Sequence, residues 1–163
     1  LASLRYASLT ERTRRLPMRQ TEQKFWDRVR NRFALEEPSM FCTRIENIVE
    51  VGMPDLQVTT RAGGTSMIEM KAVKEFPVRE GTAVLGSKAG LSPDQKNWLY
   101  MHRICGGRGY ILVGIGPRYT FMVDAKWCDQ VNNFTRSDFE QYSAAVNLDE
   151  AAKVLSNPST PIV

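Results

Sequence analysis

Asp55, Glu69 and Lys71 are the residues of this 163-residue chain whose types and spacing could do chemistry together. Asp55 follows Pro54 in Gly52-Met53-Pro54-Asp55-Leu56, and Glu69 and Lys71 sit two apart in Ile68-Glu69-Met70-Lys71. Two carboxylates about 4 Å apart repel by about 4 kcal/mol at an effective dielectric of 20. A structural hairpin has little reason to carry that cost, whereas a divalent cation removes it. Hard ions such as Mg²⁺ take oxygen ligands, commonly one or two carboxylates with waters and substrate phosphate oxygens. A lysine beside them can orient or deprotonate a water, or stabilise charge on a pentavalent phosphorus. The plainer alternative makes Glu69–Lys71 an exposed ion pair on a solvated strand.

A shared site requires a hairpin. Alternating apolar residues on either side of Ala62-Gly63-Gly64 predict two short paired strands around a glycine turn. Side chains alternate along a strand, so Glu69 and Lys71 share one face and Ile68 and Met70 take the other. With Ala62-Gly63-Gly64 as a three-residue loop, Gln57 faces Glu69 and Asp55 faces Lys71. Asp55 and Glu69 are then diagonal neighbours, about 7–8 Å apart at the backbone. A one-residue slip would put the two acids on opposite faces.

Before the hairpin, Phe25, Trp26, Val29 and Phe33 predict a helix over 21–34 with Thr21 as its N-cap. Glu22 falls on the inward side of that stripe. It is either a first-turn acid facing the helix dipole or a further acid aimed at the metal site, with Glu46 and Glu50 as competitors. A strand and loop follow over 40–51. After the hairpin, residues 73–91 form a long glycine-containing loop, expected to be a mobile flap over nucleic acid. Ser92-Pro93-Asp94-Gln95 opens a helix with a capping box and a proline in its first turn. Gln95 there either only caps or also positions a water or phosphate. Residues 110–115 read as a strand buried on both sides, 119–124 as its neighbour, 125–131 as a short helix and 148–155 as a helix capped by Asn147.

Composition narrows the function classes. One histidine and three scattered cysteines leave little room for a His-based metal site, a Ser-His-Asp triad or a disulfide framework. The cysteines fit a reducing, cytoplasmic setting, the nucleoid or a host cell if virus-encoded, and no apolar run approaches a membrane span. Residues 1–34 hold nine Lys/Arg against three Asp/Glu, while the remainder holds thirteen against fifteen. A basic leading segment on a near-neutral body predicts contact with a polyanion. We expect a basic arm over 1–20, one domain over 21–156 and a tail over 157–163.

Gly52-Met53-Pro54-Asp55-Leu56, Ile68-Glu69-Met70-Lys71, Leu91-Ser92-Pro93-Asp94-Gln95 and the apolar strand after Gly109, in that order, resemble the PD-(D/E)XK nuclease superfamily. The likeness is to its VRR-NUC group and the related Holliday junction resolvases, and it covers roughly 21–124. It implies an α/β (α+β) fold, an αβββαβ core with helices flanking a central mixed sheet. It implies that Asp55, Glu69 and the Met70 backbone carbonyl bind Mg²⁺ or Mn²⁺ and that Lys71 is the catalytic lysine. Glu22 falls where the superfamily often carries an acid on its first helix, and Gln95 matches the glutamine of the fourth motif. The 71–91 connection is longer than the group's usual one.

The expected function is therefore a metal-dependent endonuclease that hydrolyses DNA phosphodiester bonds. Branched or junction DNA and a homodimer are expectations from the resemblance, within DNA repair or recombination. Arg14, Arg15, Arg19, Lys74, Arg79 and Lys88 would contact the backbone, giving affinity without sequence readout. Two alternatives stand beside this one: a non-catalytic nucleic-acid-binding module that keeps the fold, and a sequence-specific restriction-type enzyme.

Overall fold

The computed structural model describes residues 20–46 and 49–157, and in it the apolar stripe Phe25, Trp26, Val29 and Phe33 is buried along α1 (Gln20–Ala34). Gln20 is already helical, so Thr21 lies inside the helix and is not its cap. Five strands follow: β1 (Met40–Arg44), β2 (Leu56–Thr60), β3 (Gly64–Val73), β4 (Arg108–Ile115) and β5 (Tyr119–Asp124). They form one sheet in sequence order, antiparallel except for the parallel β3–β4 pair. A parallel pair needs a crossover, and this one carries α2 (Gly86–Ala89) and α3 (Pro93–Ile104). This is the five-stranded mixed sheet with flanking helices that the sequence leads one to expect.

Beyond β5, the single short helix expected over 125–131 is instead two 3₁₀ turns, Ala125–Trp127 and Val131–Asn133. Next comes α4 (Arg136–Tyr142), which the periodicity does not announce, opened by a reciprocal cap between Thr135 and Asp138. Last is α5 (Leu148–Ser156), with Asn147 accepting from the Glu150 N–H as expected. Apart from Gln20 and Asn157, the arm and tail lie outside the described residues, and with them Arg14, Arg15 and Arg19. Among the described residues no helix is long and apolar enough to cross a membrane.

Alternation along the strands builds two cores, one on each face of the sheet. On one face, Val29 and Phe33 of α1 and Leu155 of α5 pack on Leu56, Ile68 and Leu112. On the other, Leu99 of α3 and Phe139 of α4 pack on Ile111, Val113 and Val123. Cutting any of these fully buried side chains back to alanine costs about 2–5 kcal/mol. The same alternation turns Glu69 away from the α1 core and towards α3.

Two local expectations need correction. The hairpin pairs Thr60 with Gly64 and Leu56 with Ile68, so its loop is Arg61-Ala62-Gly63 and Gln57 faces Met67, not Glu69. Gly64, at φ 72°, makes the backward turn as the first residue of β3. The shift is two residues in register, which preserves the face and brings Asp55 level with Glu69 instead of diagonal to it. Residues 73–91, expected to be a mobile flap, are anchored in their second half. Val84, Leu85 and Leu91 are buried, the Val84 N–H donates to Phe134 O at 2.9 Å, and Asn132 brackets Leu91 with two bonds of 2.7 and 2.9 Å.

Candidate active site

The site forms where β3 outruns β2. Their pairing ends at Ile68–Leu56, yet β3 continues against β4 as far as Val73. The Met70 N–H therefore has no strand partner on that side and donates instead to Asp55 Oδ2 at 3.1 Å. In a ladder a residue's carbonyl leaves the strand on the same side as its N–H, so the Met70 carbonyl faces Asp55's edge as well. Asp55 is held from behind by the Ile45 N–H, which donates to its backbone carbonyl at 2.7 Å. Gly52 brings this turn against the start of α3. Its φ is 86°, and a Cβ there would lie 2.4 Å from the Asp94 carbonyl oxygen, so only glycine fits.

From the opposite side, the first turn of α3 supplies Gln95. The Ser92 side chain accepts from the Gln95 N–H at 3.2 Å and Gln95 Oε1 accepts from the Ser92 N–H at 2.9 Å, completing the capping box. The same Oε1 accepts from Lys71 Nζ at 2.9 Å, while Gln95 Nε2 donates to Glu69 Oε1 at 2.5 Å. Gln95 thus does more than cap: the same side chain ties Lys71 and Glu69 to the first turn of α3. Lys71 Nζ also lies 3.1 Å from Glu69 Oε1. Glu69 and Lys71 are mostly buried, which removes the reading of them as an exposed strand ion pair.

Glu69 Oε1 is doubly bonded, but Oε2 is buried with no hydrogen-bond partner among the described residues. Burial, and then the neighbouring Asp55 carboxylate, push the Glu69 carboxyl up to about 8, against the smaller opposing pull of Lys71. Burial also raises Asp55, offset by the Met70 N–H, Lys71 and Arg44 and reinforced by Glu22. A buried and a half-buried carboxyl face each other, the buried one with an orphaned oxygen, so the pair must share a proton or take a cation.

These groups open into a cavity of about 370 Å³ lined by Glu22, Asp55, Glu69, Met70, Lys71, Lys88 and Gln95. Glu22, and not Glu46 or Glu50, reaches it, but from an exposed position on the first turn of α1 and not from a buried face. Glu50 accepts from Trp98 Nε1 at 3.2 Å. Among the described residues no three Asp, Glu, His or Cys side chains close into a protein-only cage. The donor set fits an ion that keeps waters and substrate oxygens, two carboxylates and a carbonyl being the usual protein share for Mg²⁺.

Of the expected backbone-binding residues, Lys88 lines this cavity, Lys74 lines an adjoining slot, and Arg79, exposed, lines neither. Sequence reasoning passed over Arg44, whose guanidinium lies 5.3 Å from the Trp26 ring centroid and lines the hollow beside Asp55. The signal was present, since Met40, Cys42 and Arg44 alternate onto the α1 face.

No protein-family model and no curated protein matches this sequence. Among solved structures, the chain is similar to Hjc, a Holliday junction resolvase from the archaeal hyperthermophile Archaeoglobus fulgidus. The TM-score is 0.52 at 15% identity, and the match covers 83% of this chain and 97% of that one. What the two share is the fold.

Proposed function

We propose that the chain is a divalent-metal-dependent endonuclease acting on DNA, with junction or otherwise branched DNA as its substrate. The observation that carries this reading is the Asp55–Glu69 pair, with an orphaned oxygen on the buried Glu69, beside Lys71 and Gln95, on a resolvase-like fold. The non-catalytic alternative has no use for two repelling acids at the floor of a cavity, and the restriction-type alternative would have to read sequence, among the described residues, with a 74–91 loop whose second half is pinned to the domain.

Asp55, Glu69 and the Met70 carbonyl would hold Mg²⁺ or Mn²⁺, with Glu22 at the rim as a further acid; the bound ion would supply a Lewis acid and an acidified water. Lys71, held between Glu69 Oε1 and Gln95 Oε1, presents its ammonium to the cavity, where it orients the attacking water and neutralises charge growing on the phosphate oxygens. Gln95 keeps that ammonium and the Glu69 carboxylate in place. Lys88 lies on the cavity wall, placed to meet the backbone on one side of the scissile phosphate. The arginines of the leading segment add affinity without sequence readout, and a homodimer would give a junction two cutting sites.

The test incubates the protein with four-way junction, flap and linear duplex DNA, in Mg²⁺, in Mn²⁺ and in chelator. Cutting should need the metal, favour the branched substrates and fall by about a thousandfold or more in Glu69→Ala and Lys71→Ala, with binding kept. Cutting that survives both substitutions would refute the assignment.

A further inference from the structure

A second slot, about 490 Å³, lies beside the acid cavity between the first turns of α1, the end of β3 and the β4–β5 turn. A smaller hollow of about 180 Å³ lies between them. That hollow shares Phe25 and Ala72 with the slot, and Glu22, Asp55 and Lys71 with the acid cavity. Its floor is built from small residues and one ring: Ala72, Gly114 and Gly116 line it, and Phe25 packs so closely on Gly114 that a Cβ there would come within 2.5 Å of the ring. One wall is fixed by Arg28, which donates to the carbonyls of Gly116 at 3.0 Å and Pro117 at 2.5 Å. Lys24 and Lys74, both exposed, stand at its rim. The acid that lines it, Asp27, is engaged by Gln23 at 3.0 Å and Arg30 at 3.4 Å.

We propose that this slot receives one unpaired nucleotide of the strand being cut, its base against the apolar floor and its flanking phosphates against Lys24 and Lys74. Which polymer binds rests on the nuclease reading above; the place it binds rests on the slot. An apolar pocket with a cationic rim, close to a site for phosphate chemistry, complements a flat apolar base on an anionic backbone. Its volume is that of a small-ligand pocket, and a base still paired and stacked inside a duplex cannot reach into such a concavity. Entry requires the nucleotide to leave its stack, which costs least where pairing is already broken, as at a branch or gap. Apolar packing against a base face is tolerant of sequence. The slot therefore selects DNA by shape, which gives a physical cause for preferring branched over linear substrate.

The experiment places 2-aminopurine at successive positions across the crossover of a four-way junction and titrates the full chain in chelator, where no cutting occurs. Fluorescence should rise several-fold at one or two adjacent positions when the base leaves its stack. Thr21→Trp, which fills the slot from its rim, and separately Lys24→Gln with Lys74→Gln, which leaves the apolar wall untouched, should each abolish the signal. Each should also weaken binding about tenfold. Glu69→Gln should leave the signal unchanged. Absence of a responding position, or a response that survives both the Thr21 and the lysine variants, would overturn the proposal. Cutting in Mg²⁺ without any signal sinks the slot alone. A signal that both sets of variants abolish, with no cutting in Mg²⁺ or Mn²⁺, supports the slot and sinks the nuclease reading.

Discussion

The β2–β3 ribbon carries two polar pairs on the same face, and its two ends treat them in opposite ways. Near the turn, Thr59 faces Thr65, and their hydroxyls meet at 2.9 Å on the exposed surface. Each hydroxyl can donate or accept, so the pair satisfies itself and owes nothing to a third party. At the far end, half-buried Asp55 stands level with buried Glu69, and two carboxylates can only accept. One end of the ribbon is complete as folded. The other is complete only with a proton or a cation between the acids, and that incompleteness separates a site from a surface.

The widest separation between the two ends should appear as a dependence of stability on pH. A Glu69 carboxyl titrating at about 8 in the folded chain, against an ordinary 4.5, binds its proton more tightly folded than unfolded. The sign follows: without metal, stability is greatest at low pH, falls as pH rises from about 4.5 to about 8, and levels above that. The total fall is roughly 5 kcal/mol. Glu69→Gln should flatten it, because an amide keeps an acceptor for Lys71 and Gln95 and offers an N–H to Asp55. Urea melts of both proteins in chelator at pH 5 and pH 8 check this. The variant should match the wild type at pH 5 and exceed it by several kcal/mol at pH 8.

How far these ends were legible in the sequence follows from where the information resides. The four motifs, the apolar stripe of α1 and the Ser92–Gln95 box are local, and each forms where its residues lie. The hairpin register differs by two from the expected one because Gly63 and Gly64 are both free to turn and nothing local says which does. The alternation survived the error, so the acids still shared a face. Residues 73–91 read as a flap in the sequence because their anchors, Phe134 and Asn132, lie more than forty residues further along the chain. At seven residues, α4 is too short to show a period, although its Thr135–Asp138 cap could have been read. Glu22 was placed inward by the helical stripe, yet so near the helix start that it reaches the cavity rim from solvent.

A smaller effect should come from Gln95, which ties the incomplete end to α3. Gln95→Ala removes the reciprocal cap and the bonds to Lys71 and Glu69. It should cost about 1–2 kcal/mol of stability by thermal melting and lower cutting about 10- to 100-fold, with DNA binding unchanged. The smallest effect belongs to the completed end. Thr59→Val removes one hydroxyl of an exposed pair and should cost less than about 1 kcal/mol, leaving the cutting rate at the wild-type value.

The claim beneath all of this is that Asp55 and Glu69 together hold one divalent cation, and calorimetric titration with Mn²⁺ tests it without any DNA. Run near pH 7 in two buffers of different ionisation heat, the wild type should bind Mn²⁺ and release a proton, more tightly as pH rises towards 8, and Glu69→Gln and Asp55→Asn should each lose that binding. Mn²⁺ bound with equal affinity by the wild type and both variants would contradict the account.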